Sequence, residues 1–273
     1  MANKTRILNG KELAGFVKER QFHYVRGLEK KPRLAIIRDS DNPVIVKYVN
    51  LKKQYGEDIG VLVDDIFAKG SDGIRDAIIA ANKNKDVNGI ILQLPILEKE
   101  KTDELTSLIA PEKDVDGLSG VGKFDSATAT AINWLLGGYN IELNDKKIAI
   151  VGRGKLVGAP LERMWKNSGF DVTVFHSGDD LSQLRNFDVI ISATGVPHLI
   201  KNEHIRGGAV IIDAGTASED GVLVGDVDDE VRERTDLAAI TPRIGGVGPL
   251  TVGCLFEHVI NAEFSSLIKS RLD

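Results

Sequence analysis

The chain is 273 residues long, with 40 acidic and 35 basic side chains, a formal net charge of −5 and 42% hydrophobic residues. That length buries enough surface for one large domain or, as expected here, two of ordinary size, and the charge balance leaves no cationic surplus for a nucleic-acid partner. A single cysteine excludes an internal disulfide framework or a cysteine-built zinc site, the polar first residues lack an apolar leader core, and no uncharged stretch approaches the roughly 18 residues of a membrane span; the expected setting is the cytoplasm, without membrane attachment.

Short β-rich apolar runs alternate with amphipathic stretches from end to end, the pattern of parallel α/β sheets built from βαβ units. In chain order, apolar spacing predicts a helix over Gly10 to Leu28, a strand over Arg33 to Arg38, a helix over Pro43 to Glu57 and a strand over Ile59 to Phe67. A helix over Asp72 to Asn82, a strand over Gly89 to Leu94 and a helix over Thr102 to Ile109 follow. The glycine-rich passage Leu118 to Lys123 marks the domain boundary. Beyond it, strands over Lys147 to Val151, Asp171 to Phe175, Val189 to Ser192, Ala209 to Asp213 and Leu237 to Ile240 follow the doubly wound pattern, with helices between them. A final helix over roughly Pro249 to Arg271 is long for its position and is expected to cross back and pack on the first half. Cys254 lies in the apolar run Leu250 to Val259 and reads as a packed core thiol rather than a nucleophile.

In the first half, Tyr48 and Lys52 stand four apart on a predicted helix and share one face, an arrangement that also describes a solvated lysine over an aromatic ring. Gln93 ends a buried strand and precedes Leu94-Pro95, at the carboxyl edge where open α/β sheets bind ligands. Its amide reads either as a support for a lysine or substrate, or as a partner for a loop backbone. Asp114-Val115-Asp116-Gly117 brings two carboxylates into a tight turn, but no histidine or further acid lies at ligand spacing, so no metal is expected.

In the second half, Ile148-Ala149-Ile150-Val151 runs into Gly152-Arg153-Gly154-Lys155-Leu156-Val157-Gly158, which opens a helix. Such a loop brings backbone close to a pyrophosphate and aims helix N–H groups at it, and it also fits an ordinary strand-turn-helix. The usual third glycine falls at Val157, with Gly158 one residue late. The next strand ends Phe175-His176-Ser177 without a carboxylate for ribose hydroxyls, and Arg153 stands in the loop, so the pattern leans to NADP over NAD. Asp179 and Asp180 either oppose a phosphate or N-cap the next helix, the latter being expected. Ala193-Thr194-Gly195 ends the following strand, where small residues suit a nearby nicotinamide ribose or a plain turn.

Taken in order, Tyr48-x-x-x-Lys52, Gln93-Leu94-Pro95, Pro111-Glu112-Lys113-Asp114-Val115-Asp116-Gly117, the loop Val151 to Pro160, and Gly245-Gly246-Val247-Gly248-Pro249-Leu250-Thr251 resemble the bifunctional methylenetetrahydrofolate dehydrogenase/methenyltetrahydrofolate cyclohydrolase family over nearly the whole chain. The resemblance implies two α/β domains: a folate-binding catalytic domain over residues 1–120, with the terminal helix 253–273 added to it, and a Rossmann-type NAD(P)-binding domain over 121–252. It implies a homodimer, with the active site in a cleft between domains. It also implies oxidation of 5,10-methylenetetrahydrofolate with NADP, or NAD in some members, followed by hydrolysis to 10-formyltetrahydrofolate. By the same resemblance Lys52 is the central catalytic residue, Tyr48 packs on the folate, Gln93 holds the lysine and Asp116 bonds the pterin. Leu94, Pro95, Gly248 and Pro249 also fall to the folate, and Gly152, Arg153, Gly154, Val157, Ser177, Thr194, Gly195 and Thr251 to the dinucleotide.

Some residues depart from the family pattern. Gly154 stands where most members carry Ser, removing one hydroxyl from the phosphate site. Phe124 to Ala131 keeps only Phe124 and Thr128 of the family's F-x-P-C-T-P-x-G, and Arg243-Ile244 replaces the usual Val-Pro, bringing an extra cation. A short-chain dehydrogenase also uses Tyr-x-x-x-Lys, but its glycine loop precedes the pair, whereas here it follows. A shikimate-type dehydrogenase shares the architecture and leaves Gln93-Leu94-Pro95 unexplained. A non-catalytic folate- or nucleotide-binding relative is the reading from another class, and the retained Lys52 argues against it.

Overall fold

The computed structural model describes residues 4–215, 217–219 and 222–272. In chain order its first elements are β1 (Arg6–Ile7), α1 (Gly10–Arg26), β2 (Arg33–Arg38), α2 (Pro43–Ile59), β3 (Leu62–Phe67), α3 (Gly70–Lys83), β4 (Gly89–Leu92), α4 (Thr102–Thr106) and α5 (Ala127–Gly138). There follow β5 (Lys147–Val151), α6 (Gly158–Asn167), β6 (Asp171–Phe175), β7 (Val189–Ser192), β8 (Val210–Asp213), β9 (Ala217–Glu219), β10 (Val222–Val224), α7 (Asp229–Arg232), β11 (Ala239–Ile240) and α8 (Val247–Leu272). The chain separates into two compact units, Gly15–Ala127 with Val252–Asp273, and Met1–Ala14 with Thr128–Thr251.

The Gly15–Ala127 unit is built on a parallel sheet of order β3-β2-β4. β2 and β4 read as continuous apolar runs because both of their faces are covered; Leu34, Ala35, Ile36, Ile37 and Ile90 have no solvent exposure. Ile37, Ile74, Ile78, Ile90, Leu92 and Leu105 form the core on one side. From Val252 onward α8 packs within this unit, as expected: Phe256 stacks on Tyr55 at 4.9 Å and Gln21 donates to Gly253 O at 2.8 Å. Cys254 is fully buried there, and burial pushes its thiol pKa up, as befits a core thiol.

The other unit holds a six-stranded, all-parallel sheet of order β1-β11-β8-β7-β5-β6, beside a short antiparallel β9–β10 hairpin. Its interior is aliphatic, with Ala149, Ile190, Ile211 and Ile240 at its centre. The strand order reverses on either side of β5, the place where doubly wound sheets bind ligands.

Three sequence expectations need correction. The first fourteen residues belong with the second sheet rather than with the 1–120 domain, because Arg6 and Ile7 pair in parallel with Ala239 and Ile240. Both are exposed and carry no apolar pattern, so only the backbone pairing marks the strand. Ile59 and Gly60 are not strand: Ile59 is the buried last residue of α2, and Gly60, at φ +84°, turns the chain out of the helix. Residues 121–127 stay with the first unit, where Phe124 stacks on His258 at 4.7 Å. A helix, α5, follows; it is buried nearly all round, so it shows no amphipathic period.

Lys113 has a structural duty in this frame. Its ammonium donates to Ala81 O, Asn82 O and Asn84 O at 3.0, 2.9 and 2.7 Å, satisfying the two carbonyls left free at the end of α3 and sharing Asn84 O with Val87 N. Lys113→Met keeps the aliphatic stem and removes all three bonds. The expected result is a loss of about 1–2 kcal/mol, read as a lower urea midpoint of the full chain; an unchanged midpoint would mean that water serves those carbonyls equally well.

Candidate functional site

Two groups of the expected residues assemble, one in each unit. In the Gly15–Ala127 unit, α2 starts where Asn42 accepts a hydrogen bond from the Val44 N–H at 2.9 Å, with Pro43 in the first turn. Ile45, Val49, Tyr55 and Ile59 bury one face, and Tyr48 and Lys52 share another, both half-buried. Lys52 Nζ donates to Gln93 Oε1 at 2.6 Å, while Gln93 Nε2 donates to Leu94 O at 3.1 Å. Gln93 therefore takes both roles open to it in the sequence, holding the lysine and satisfying its own loop. Its N–H bonds Ile37 O at 2.8 Å, which extends the ladder past β4 and fixes the amide at the sheet's carboxyl edge. Leu94 is half-buried, Pro95 is exposed, and the peptide between them is cis.

Burial pushes the Lys52 ammonium below the ordinary lysine range, and Asp116 opposes that shift. Burial likewise pushes the Asp116 carboxyl up to about 6, with Lys52 pulling it down and Asp114 adding to the rise. An amine that releases its proton early, coupled to a carboxyl that keeps its proton late, is a pair suited to moving protons.

The two carboxylates of the Asp114–Gly117 turn do different work. Asp114 is fully buried and accepts from Leu118 N at 3.2 Å and Ser119 N at 2.8 Å, so it builds the turn. Asp116 is the one coupled to Lys52. His258 Nδ1 bonds Val115 O at 2.8 Å and braces the turn from α8.

In the other unit, β5 lies between β6 and β7, with Val151 in register with both Phe175 and Ser192. The loops carrying Gly152 to Val157, Ser177, and Thr194-Gly195 therefore leave the same edge of the sheet side by side. Gly152 takes φ +93°, and a Cβ there would lie 2.7 Å from Ala193 O. A Cβ on Gly158 would overlap Gly152 O and stand 2.9 Å from Gly152 C. Gly158, one residue late by the usual spacing, is thus the glycine that lets α6 close onto the loop. Val157 is the N-cap of α6 and offers no side-chain hydrogen bond; Ala159 N donates to Gly154 O at 3.1 Å and Pro160 has no N–H, so in the first turn it is the Gly158 N–H that is left for an anion. Gly154 is exposed, with nothing within 4 Å of a Cβ built on it.

Arg153 is exposed, and its Nε donates to Glu162 Oε2 at 2.7 Å. Ser177 is exposed in the turn after β6; Asp179 accepts from His176 N at 2.7 Å, and Asp180 caps the next turn by accepting from Ser182 N at 3.0 Å. Thr194 N donates to Asp226 Oδ2 at 2.7 Å, and Gly195 takes φ +69°. Thr251, Gly248 and Pro249 stand at the start of α8, and Thr251 Oγ1 donates to Val247 O at 3.3 Å rather than to the glycine loop. The extra cation, Arg243, pairs with Asp229 at 3.3 Å.

Three residues escaped the sequence reading. Asp39, buried at the end of β2, accepts from Leu97 N at 2.9 Å and so holds the Leu94–Leu97 loop. Asp226, fully buried, accepts from Ser192 Oγ and Thr194 N, both at 2.7 Å. Glu162 holds Arg153. A carboxylate directly after a strand was a readable signal for Asp39; the others act across 32 and 9 residues of sequence and carry no local mark.

Comparison with known proteins matches each half of the chain to a domain of one family. A profile of "Tetrahydrofolate dehydrogenase/cyclohydrolase, catalytic domain" matches residues 8–116, and one of "Tetrahydrofolate dehydrogenase/cyclohydrolase, NAD(P)-binding domain" matches residues 126–266. The chain is 37% identical to the "Bifunctional protein FolD" of Hydrogenobaculum sp., covering 94% of this chain and 98% of that protein. It is similar in structure to the Campylobacter jejuni bifunctional methylenetetrahydrofolate dehydrogenase/cyclohydrolase, with TM-score 0.89 and 30% identity over 96% of this chain and 99% of that one. It is also similar to the Trypanosoma brucei enzyme solved with an NADP cofactor and an inhibitor, with TM-score 0.90 and 28% identity over 97% and 99% of the two chains. With both profiles matched and the identity sustained over almost its whole length, the chain belongs to the tetrahydrofolate dehydrogenase/cyclohydrolase family.

Proposed function

We propose that the protein oxidises 5,10-methylenetetrahydrofolate to 5,10-methenyltetrahydrofolate with NADP and then hydrolyses that product to 10-formyltetrahydrofolate, in one-carbon metabolism. The observation that carries this reading is the Lys52–Gln93 hydrogen bond with Asp116 coupled to the lysine, in a chain of this family. We take the enzyme to act as a homodimer in the cytoplasm, as the family resemblance implies.

NADP fits the Gly152–Gly158 loop: two glycines stand where a Cβ would fill the cradle, the α6 N-terminus lacks a side-chain cap, and Arg153 is at hand for a 2′-phosphate. When bound, NADP supplies the two-electron acceptor for the oxidation. The carbon oxidised lies between two nitrogens whose lone pairs stabilise the cation, so that step depends chiefly on orientation. Tyr48, one turn before Lys52 on α2, offers a flat apolar surface to the folate. Ionised Asp116 accepts hydrogen bonds from the donor edge of the pterin.

Hydrolysis asks more of the protein. As water attacks the methenyl carbon it loses one proton, which the neutral Lys52 amine accepts; the ammonium then supplies that proton to the ring nitrogen as its bond to the carbon breaks, and the carbinol hydroxyl releases its own proton to solvent as it becomes the formyl carbonyl. Burial keeps the neutral amine accessible, and the bond to Gln93 Oε1 fixes its direction. The test is a direct assay following nicotinamide reduction and then decay of the methenyl absorbance. Both are expected with NADP, and absence of turnover with either NADP or NAD would leave a folate- or nucleotide-binding relative as the better reading.

A further inference from the structure

Arg153 is exposed on a glycine-flanked loop, the kind of position at which a long side chain ordinarily samples many rotamers. Here it does not stand alone. Its Nε donates to Glu162 Oε2 at 2.7 Å, and the other carboxylate oxygen, Oε1, accepts from Lys166 Nζ at 2.9 Å, one turn along α6. Glu162 is only 13% exposed, and α6 is itself anchored by fully buried Leu161 and nearly fully buried Trp165, whose Nε1 donates to Asn133 Oδ1 at 2.7 Å. The carboxylate therefore sits on a fixed support. It engages the guanidinium through Nε alone, so among the described residues Nη1 and Nη2 keep no partner. Those two groups form the fork that grips a phosphate through two parallel bonds.

We infer that Glu162 is a positioning residue for cofactor choice: it holds Arg153 by Nε so that the free Nη fork is ready for the 2′-phosphate that separates NADP from NAD. The inference rests on the reading that Arg153 meets this phosphate. A carboxylate near a phosphate also repels it. That repulsion acts across the guanidinium itself, in a solvent-exposed setting where salt screens charges over about 8 Å, whereas the ordering of the arginine acts fully on binding. Lys166 further offsets the charge of the carboxylate.

The experiment measures binding, by calorimetry on the full chain, of adenosine 2′,5′-bisphosphate and of 5′-AMP, which lacks the 2′-phosphate. Glu162→Ala is expected to raise the Kd of the bisphosphate by roughly 5–10-fold and leave that of 5′-AMP within about twofold. Glu162→Gln keeps an oxygen for Nε and is expected to restore most of the loss. Tighter bisphosphate binding in either variant would make Glu162 a competitor of the phosphate, and unchanged binding in the alanine variant would make it a bystander; each overturns the proposal. Arg153→Ala separates the two levels. If it binds the bisphosphate as well as the unaltered chain does, the phosphate reading itself falls and takes this inference with it; if it loses that binding while Glu162→Ala does not, only Glu162 is misassigned.

Discussion

Lys52→Met is expected to lower the rate of methenyltetrahydrofolate hydrolysis by about 10²–10⁴-fold, the range associated with loss of a proton-transferring group, while folate still binds. Methionine follows the path of the lysine stem and fills similar space, so α2 keeps its register and Tyr48 its place one turn away. What disappears is the amine that donates to Gln93 Oε1 at 2.6 Å and takes part in the proton transfers. Folding should not obscure the result. A buried lysine whose folded pKa lies below its unfolded value lowers stability at any pH below the unfolded value, either by giving up its proton on folding or by keeping its charge in the interior, so removing it relieves one cost even as Asp116 loses its counter-charge. The Asp116 carboxyl, already held at about 6, is then pushed higher, and its role as an acceptor for the pterin weakens first at acid pH. The measurement is the single-turnover decay of methenyl absorbance beside a folate binding isotherm at pH 8. Hydrolysis within a few-fold of the parent rate would remove Lys52 from the chemistry; loss of folate binding together with the rate would make it a binding residue instead.

Much of this chain could be read before its structure, for physical reasons that differ from place to place. β5, β6 and β7 match their predicted bounds because each is a short apolar run stopped by polar or glycine residues on both sides. β1 could not be read, since two exposed residues contribute only their backbones to a ladder whose other strand lies over 230 positions away. Tyr48, Lys52 and Gln93 were legible because helix spacing and a strand terminus are local facts with spatial consequences. The division of labour between Asp114 and Asp116 was not. It depends on which carboxylate faces the Leu118 and Ser119 amides, a matter of turn geometry that the alternation of Asp and Val leaves open. Glu162 and Asp226 lie still further from view, because Glu162 reaches back nine residues to the loop before its own helix and Asp226 acts on a loop 32 residues away.

Gly158→Ala is expected to raise the Kd for NADP by more than about 100-fold and to destabilise the dinucleotide-binding unit by about 2–4 kcal/mol, the scale of a severe overpacking error. The added Cβ would overlap Gly152 O and fall 2.9 Å from Gly152 C and 3.0 Å from Arg153 Cα, all backbone atoms with no rotamer to give way. Nor can α6 retreat, because Leu161 is fully buried and Trp165 is 1% exposed and bonded to Asn133. Relief must come from the loop, and Gly152 is itself boxed in by Ala193 and Thr194. A displaced loop carries Arg153 with it and turns the Gly158 N–H, the first of α6, away from the pyrophosphate. Gly154→Ala is the matched control, since a Cβ at that position meets nothing within 4 Å and Gly154 does not hold a positive φ. Its effect on NADP binding is expected to stay within a few-fold. Calorimetric titration of NADP and thermal unfolding of both variants decide the matter: equal losses at 154 and 158 would mean that loop flexibility, rather than the close approach of α6 to Gly152, governs dinucleotide binding.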